Sequence, residues 1–250
     1  MPDSSVHAQG KPGAADQAHA GAAPYLLHHF NSVEQQADTS SFAMWLFLLT
    51  EVMFFGGLFV VYLIYRNWYY PAFVAGSRQL SVLWGGINSV LLITSSFTMT
   101  LAVWNARMRR QGGLVLCLAL TFVLGLVFLG IKGGEYKEKF DKHHIPGEHY
   151  SLQSFLDPDS DPVAAGTAPL PLDEARHTEL FFSLYFAMTG MHALHMIVGM
   201  GLMAFILFRA RAGAHTAGHT AFVEYFGLYW HFVDIIWIFL FPLLYLINRH

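Results

Sequence analysis

The chain has 250 residues, of which 54% are apolar and only 12% are charged, whereas an ordinary soluble domain carries about 25% charged residues. Unless the apolar residues are scattered, this composition excludes a water-soluble protein, because too little charge remains to cover the surface. The net charge of −3 gives no basic face for nucleic acid, and the single cysteine, Cys117, excludes an internal disulfide.

The first 41 residues are polar and rich in Ala, Gly, His, Gln and Ser. They have neither the basic start nor the apolar stretch of a signal peptide. Their composition predicts a flexible tail over residues 1–41.

The apolar residues after the tail are concentrated in five runs of 18–29 residues. A helix that spans a bilayer needs about 20 mainly apolar residues, and the backbone in lipid must satisfy its hydrogen bonds within the segment. The sequence therefore predicts an all-α fold, a multi-pass membrane bundle of five transmembrane helices in a domain of residues 42–247. The predicted helices cover residues 42–65, 81–105, 114–131, 180–208 and 222–247.

Residues 132–179, between the third and fourth runs, hold five prolines and ten acidic residues. This pattern predicts a polar loop outside the membrane. A surface metal on this loop is one alternative, since four residues of metal-binding type lie close together in the chain: His143, His144, Glu148 and His149. Without a second ligand cluster, the sequence favours no metal site.

Basic residues in the short loops predict the orientation of the chain. Segments 106–113 and 209–221 contain no acidic residue and five arginines: Arg107, Arg109, Arg110, Arg209 and Arg211. We therefore predict that the N-terminus is cytoplasmic, and that the C-terminus and the 132–179 loop lie on the outer side.

Ionisable side chains are costly inside a bilayer and usually face a protein interior, a cavity or a partner. Three of them, Glu51, His195 and His231, are predicted to occupy similar depths. The spacing of 7 and 3 along the last helix places its polar residues on one face, and two histidines three residues apart share a face of the fourth helix. We predict a buried polar seam that includes His192, His195, Glu224, His231 and Asp234.

Two interpretations of Glu51 stay open. It is either a proton-exchanging or partner-facing carboxylate, or a structural acid hydrogen-bonded to a histidine or to Asn88. For His192 and His195, structural hydrogen bonding is the first interpretation, and haem or metal ligation is the alternative. A proton-coupled transporter that uses Glu51, His231 and Asp234 is a further alternative. A dinuclear thiolate copper centre needs two cysteines, so the residues favour a membrane subunit without its own redox centre.

Five stretches of the sequence are more specific than helical periodicity. They are residues 50–55 (Thr-Glu-Val-Met-Phe-Phe), 87–92, 134–136 (Gly-Glu-Tyr), 186–195 with the pattern Thr-Gly-x-His-x-x-His, and 229–237 (Tyr-Trp-His-Phe-Val-Asp-Ile-Ile-Trp). Together they resemble subunit III of haem–copper oxidases. The first stretch is similar to the helix that carries the family's intramembrane glutamate, and the second resembles the next helix. The third resembles a helix-end motif of the family, the fourth contains its two-histidine stretch, and the last is close to its C-terminal signature.

The resemblance implies a non-catalytic subunit III of a proton-pumping terminal oxidase of the cytochrome c oxidase type, which couples oxygen reduction to proton translocation in an aerobic respiratory chain. It implies no cofactor in this chain, bound phospholipids, and haems and copper in partner subunits. The implied partners are subunit I as the main contact, subunit II, and small subunits or a respiratory supercomplex. The implied location is the bacterial inner membrane.

The resemblance also implies roles for individual residues, none of them catalytic. Glu51 matches the intramembrane acid that is linked to proton uptake, Asn88 and Trp230 join the polar seam, and Glu135 and Tyr136 form the helix-end motif. Longer family members have seven helices, whereas five are predicted here. The shorter form also occurs in quinol oxidases and in relatives associated with nitric oxide reductases, which stay open as alternatives.

Overall fold

The structure is a computed structural model that describes residues 32–147, 150–157, 169–211 and 217–247. Within these ranges the regular secondary structure is helical, and no described residue forms a β-strand. The helices, in chain order, are α1 (Val33–Trp68), α2 (Tyr70–Arg78), α3 (Val82–Arg107), α4 (Gln111–Asp141), α5 (Gln153–Leu156), α6 (Leu172–Arg176), α7 (Thr178–Arg211) and α8 (Ala217–Tyr245).

The five long helices, α1, α3, α4, α7 and α8, are each long and apolar enough to cross a membrane. Many of their large apolar side chains are exposed in the isolated chain, such as Met53, Leu83 and Phe208. Exposed apolar surface of this extent is expected where a helix meets lipid or a partner subunit. The predicted all-α fold with five membrane-spanning helices is therefore confirmed.

Two helices extend well beyond the predicted apolar runs. α1 begins at Val33 rather than at residue 42, so residues 33–41 of the predicted tail are helical, while residues 1–31 lie outside the described residues. α4 continues to Asp141, so residues 132–141 of the predicted loop are helical as well. Neither segment contains a proline that would end a helix. Hydropathy therefore identified the embedded part of each helix and missed its polar extension.

The polar start of α1 belongs to a compact unit that ends at Ala43. The Ser32 Oγ accepts a hydrogen bond from the backbone N–H of Gln35 at 3.1 Å. This contact satisfies one of the N–H groups that lack a partner within the helix at its first turn.

The core of the second unit, residues 44–250, is built by α3, α4, α7 and α8. α3 packs against α4 and α8, and α7 packs against the same two helices. Small residues allow this approach: a Cβ on Gly125 of α4 would lie 2.7 Å from the Met200 Sδ, and a Cβ on Gly199 of α7 would lie 3.1 Å from the Trp230 ring. The two glycines thus leave the space that Trp230 and Met200 occupy.

From Met44 onward, α1 contacts the other helices through large side chains, and close backbone contacts between it and the other described long helices are sparse. The Phe55 ring lies 5.3 Å from the His195 ring, and the Tyr62 ring lies 5.3 Å from Phe73. The Tyr62 hydroxyl donates a hydrogen bond to the Leu243 carbonyl oxygen at 2.8 Å. Bulky side chains therefore hold this helix at a distance from the bundle.

The described residues between α4 and α7 fold against the aromatic start of α7. The His144 ring stacks on Phe182 with 5.1 Å between centroids, and its Nε2 lies 3.0 Å from the Ser154 Oγ. The Tyr150 hydroxyl shares a 2.8 Å hydrogen bond with the Thr178 Oγ1. Burial raises the pKa of the Tyr150 phenol above its ordinary value, although the bond to Thr178 opposes this. Residues 148, 149 and 158–168 of the predicted loop lie outside the described residues.

Candidate functional site

Glu51 on α1 and His195 on α7 form a hydrogen-bonded pair inside the second unit. The His195 Nε2 lies 3.0 Å from the Glu51 Oε2, and both side chains are mostly buried. The His195 Nδ1 lies 2.8 Å from the Met191 carbonyl oxygen, one turn earlier on the same helix. The structure thus gives Glu51 a histidine partner, which is one of the two partners considered from the sequence.

The hydrogen bonds of this pair define its protons. A carbonyl oxygen can only accept, so the His195 Nδ1 must carry a proton that it donates to Met191. A bond between Nε2 and the Glu51 carboxyl then needs one further proton, either on the imidazole or on the carboxyl. The hydrogen bond between the His195 Nε2 and the Glu51 carboxyl group therefore holds one proton between the two side chains.

A cavity of about 400 Å³ adjoins the pair. Its surface is mostly apolar, and Glu51 and His195 supply a carboxyl group and an imidazole to its wall. The Tyr229 hydroxyl faces it and donates a 2.9 Å hydrogen bond to the His195 carbonyl oxygen. The remaining residues that line the cavity are Met44, Phe47, Leu194, Val198, Leu202, Phe222, Tyr225 and Phe226.

His192 and His195 share one side of α7 but have different neighbours. His195 faces α1, whereas the fully buried His192 points into the centre of the bundle. The His192 ring lies 5.6 Å from the Phe128 ring and 5.4 Å from the Trp237 ring. Residues three apart on a helix differ by about 60° in direction, and this difference is enough to give the two imidazoles separate surroundings.

Four further residues of the predicted seam come from α3 and α8. Asn88, Trp230 and Asp234 are buried, and the Trp230 Nε1 donates to the Ser95 Oγ at 3.0 Å. His231 is only partly buried. Its Nδ1 lies 2.6 Å from the Ser96 Oγ on α3.

Glu224 lies apart from this buried group. Its Oε1 accepts a 2.7 Å hydrogen bond from the Arg107 Nε, and both side chains are substantially exposed. The spacing along α8 predicted Glu224 on the same face as His231 and Asp234, but Glu224 lies near the start of the helix and its side chain is partly exposed. It therefore forms a pair at the end of the bundle with one of the loop arginines.

A second ionic cluster surrounds Glu135 and includes a residue that the sequence analysis placed in the loop. The Lys132 Nζ lies 2.9 Å from the Glu135 Oε2 and 2.8 Å from the Tyr245 hydroxyl oxygen. The Glu135 Oε1 accepts hydrogen bonds from the Tyr185 hydroxyl at 2.9 Å and the Tyr245 hydroxyl at 2.5 Å. Tyr136 bonds separately to the Thr189 Oγ1 at 2.6 Å. The cluster joins α4, α7 and α8.

The position of Lys132 could have been found from the sequence. The buried residues of α4 recur every three or four positions, through Thr121, Gly125, Phe128, Lys132 and Glu135. This spacing continues the buried stripe past the end of the apolar run. A lysine and a glutamate three apart on such a stripe predict an internal ion pair.

The described part of the loop does not bring its histidines together as a metal site. His144 packs among aromatic rings, whereas the exposed His143 contacts the Asp141 carbonyl oxygen. Glu148 and His149 lie outside the described residues. Among the residues that are described, no group of three or more His, Cys, Asp or Glu side chains could hold a metal ion.

These features define the class of protein: a multi-pass helical membrane protein whose ionisable side chains pair with one another inside a small bundle. The family model for cytochrome c oxidase subunit III matches residues 176–248. Cytochrome c oxidase subunit 3 of Synechocystis sp. is 34% identical over 212 residues, which cover 84% of this chain and 76% of the relative. The chain belongs to the cytochrome c oxidase subunit III family.

Two further relatives match nearly end to end. Cytochrome c oxidase subunit 3 of Thermostichus vulcanus is 28% identical over 98% of both chains. The cytochrome bo(3) ubiquinol oxidase subunit 3 of Pseudomonas aeruginosa is 24% identical over 88% of this chain and 91% of the relative. The similarity thus extends across oxidases that are named for different electron donors.

Proposed function

We propose that this chain is the non-catalytic subunit III of an oxygen-reducing, proton-pumping terminal oxidase of the cytochrome c oxidase type. Membership of the family supports this role, as does the extent of the match to subunit 3 relatives. Haems and copper belong to the partner subunits in this proposal. Subunit I is the main contact, and subunit II completes the catalytic core.

The Glu51–His195 pair carries the functional part of the proposal. It places one exchangeable proton inside a membrane-spanning bundle, beside an apolar cavity. Ionisable groups in such a position commonly take part in proton movement. We therefore assign Glu51 to proton uptake by the assembled oxidase, with His195 as the group that holds its proton in place.

Purification of the complex through an affinity tag on this chain tests the assignment to an oxidase. The expected result is co-purification of a haem–copper subunit I and of subunit II, with haem absorption and oxygen consumption in the same fraction. A preparation in which this chain is present at full yield without a haem–copper subunit would overturn the proposal.

The cavity next to Glu51 is proposed to hold an acyl chain of a bound phospholipid. Its volume of about 400 Å³ lies within the range of about 300–1,000 Å³ that is typical of ligand sites. Val198→Trp should fill it and reduce the phospholipid that is retained after mild delipidation. Ile197→Trp is the matched control, since Ile197 is similarly exposed on the same helix but does not line the cavity. Equal retention in both variants would contradict lipid binding here.

A quinol oxidase is the second candidate, because the Pseudomonas aeruginosa ubiquinol oxidase subunit matches most of this chain. Oxidation of reduced cytochrome c by the purified complex supports the first candidate. Oxidation of a ubiquinol analogue without cytochrome c oxidation supports the second.

The proposed orientation in a bacterial inner membrane rests on two groups of arginines at helix ends. Arg107, Arg109 and Arg110 lie at the end of α3 and in the turn before α4, and Arg209 and Arg211 lie in the last turn of α7. Fusion of alkaline phosphatase to the C-terminus should give an active periplasmic enzyme, whereas a fusion at the α3–α4 turn should be inactive. The reverse pattern would invert the orientation.

A further inference from the structure

Three polar side chains at the centre of the bundle lack hydrogen-bond partners. Asn88, His192 and Asp234 are each no more than 2% exposed. Both polar atoms of the Asn88 amide, both ring nitrogens of His192 and both carboxyl oxygens of Asp234 have no partner among the residues that the structure describes. In folded proteins, roughly nine in ten or more of such buried atoms bond to protein or to ordered water.

Trp237 relates the positions of the three side chains along the bundle. The His192 ring lies 5.4 Å from the Trp237 ring, and Asp234 lies one turn before Trp237 on α8. The Trp237 Nε1 donates to the Ser89 Oγ at 3.1 Å, and Ser89 adjoins Asn88 on α3. Each of the three buried side chains therefore lies within about one helical turn of the level of Trp237, on α3, α7 and α8 respectively.

The two nearby indole N–H donors are already engaged. The Trp237 N–H bonds to Ser89, and the Trp230 N–H bonds to the Ser95 Oγ. The Ser96 hydroxyl lies near the Asp234 carboxyl group, and its Oγ is also 2.6 Å from the His231 Nδ1. A hydroxyl donates one proton, so Ser96 leaves at least one of the two Asp234 carboxyl oxygens without a hydrogen bond.

The mixture of groups selects a small neutral ligand. Asn88 offers a donor and an acceptor, neutral His192 offers one of each, and Asp234 offers acceptors. A cation is disfavoured because the Lys132 ammonium lies 4.8 Å from the centroid of the Trp237 ring that His192 also contacts. Water both donates and accepts, and a buried water typically makes about three hydrogen bonds.

We propose that Asn88, His192 and Asp234 form an internal water site that holds about two ordered water molecules, which bridge α3, α7 and α8. The site is separate from the Glu51–His195 pair and does not depend on the role proposed for that pair. Its function is to complete the hydrogen bonding of the core and so fix the relative positions of the three helices.

A high-resolution cryo-EM map of the intact wild-type complex tests the site directly. We expect density at hydrogen-bond distance, about 2.7–3.2 Å, from at least two of the three side chains. Direct hydrogen bonds among Asn88, His192 and Asp234 without intervening density would overturn the proposal. Density at about 2.0–2.2 Å from His192 and Asp234 would also overturn it, in favour of a metal ion.

X-ray footprinting gives an independent readout, because radiolysis of a bound water oxidises the side chains that touch it. Trp237 should be labelled in the wild-type complex despite its complete burial. Asn88→Leu should lower this labelling by about twofold or more, since the waters lose one of their few partners. Ile236→Leu, at a buried apolar position on α8, is the matched control and should leave it unchanged. An unlabelled Trp237 in the wild type, or equal labelling in Asn88→Leu, would refute the site.

Discussion

Glu51 and His195 are 144 positions apart in the sequence, and their side chains lie 3.0 Å apart in the structure. Their hydrogen bond fastens α1 to α7 and also holds one proton within the membrane-spanning part of the chain. A structural role needs only a hydrogen bond, whereas a role in proton uptake needs an acid. Conservative replacement of Glu51 separates the two roles.

Glu51→Gln should assemble with the other subunits and support normal electron transfer, because the amide still bonds to His195. Proton uptake should slow, or the enzyme should inactivate after fewer turnovers, because the amide cannot exchange a proton as the acid does. Proton uptake and successive rounds of oxygen consumption by the purified complex measure this. Glu51→Leu is the contrasting variant and should also loosen α1. If Glu51→Gln alone removes this chain from the complex, Glu51 is mainly structural.

Lys132→Met should destabilise the chain by about 3–5 kcal/mol, because it leaves the buried Glu135 carboxylate without its cation. The midpoint of thermal loss of this chain from the complex provides the measurement. Lys137→Met, at an exposed position of the same helix, is the control and should change stability by less than about 0.5 kcal/mol. Equal midpoints for the two variants would show that the ion pair does not hold α4.

Gly199→Ala should destabilise the packing of α7 on α8 by about 1–3 kcal/mol, because the added methyl group approaches Trp230 and Tyr229 at 3.1 Å. Gly201→Ala is a closely matched control, since a Cβ there meets nothing within 4 Å. Alanine favours a helix over glycine, so this variant should be neutral or up to about 1 kcal/mol more stable. Thermal unfolding of the two variants side by side decides the point, and a stabilised Gly199→Ala would contradict the close approach.

Glu224→Gln should have a small effect, about 1 kcal/mol or less, because its pairing with Arg107 is exposed and screened by solvent. The effect should vanish in high salt. Stability at low and high ionic strength tests this expectation. A large loss that persists in salt would place Glu224 in the buried seam after all.

The sequence predicted the five spans well because membrane insertion depends on a sum of side-chain hydropathies over about 20 residues. For the same reason, the sequence analysis placed Lys132 in a loop. A charged residue ends an apolar run even where the helix continues and the residue is buried. The periodic stripe on α4 carried the missing information. Hydropathy alone does not report which charges are paired.

In the candidate site, too, the sequence predicted positions along single helices but not the contacts between helices. Helical spacing predicts which residues share one side of a helix, such as His192 with His195 and His231 with Asp234. It does not predict which neighbouring helix that side contacts. The partnership of Glu51 with His195 rather than with Asn88 depends on how α1 is placed against α7. That placement is set by ring packing around Phe55, which a single sequence does not encode in a readable pattern.

Because α1 contacts the other long helices mainly through side chains, its position depends on residues that are synthesised later. The chain is made from the N-terminus, so Glu51 enters the bilayer before His195, Tyr229 and Leu243 have been synthesised. α1 must therefore be held in lipid by its own apolar length while its carboxyl group has no imidazole to bond. The Glu51–His195 bond can therefore form only after α7 has been made, although α1 is the first of the described spans to be inserted.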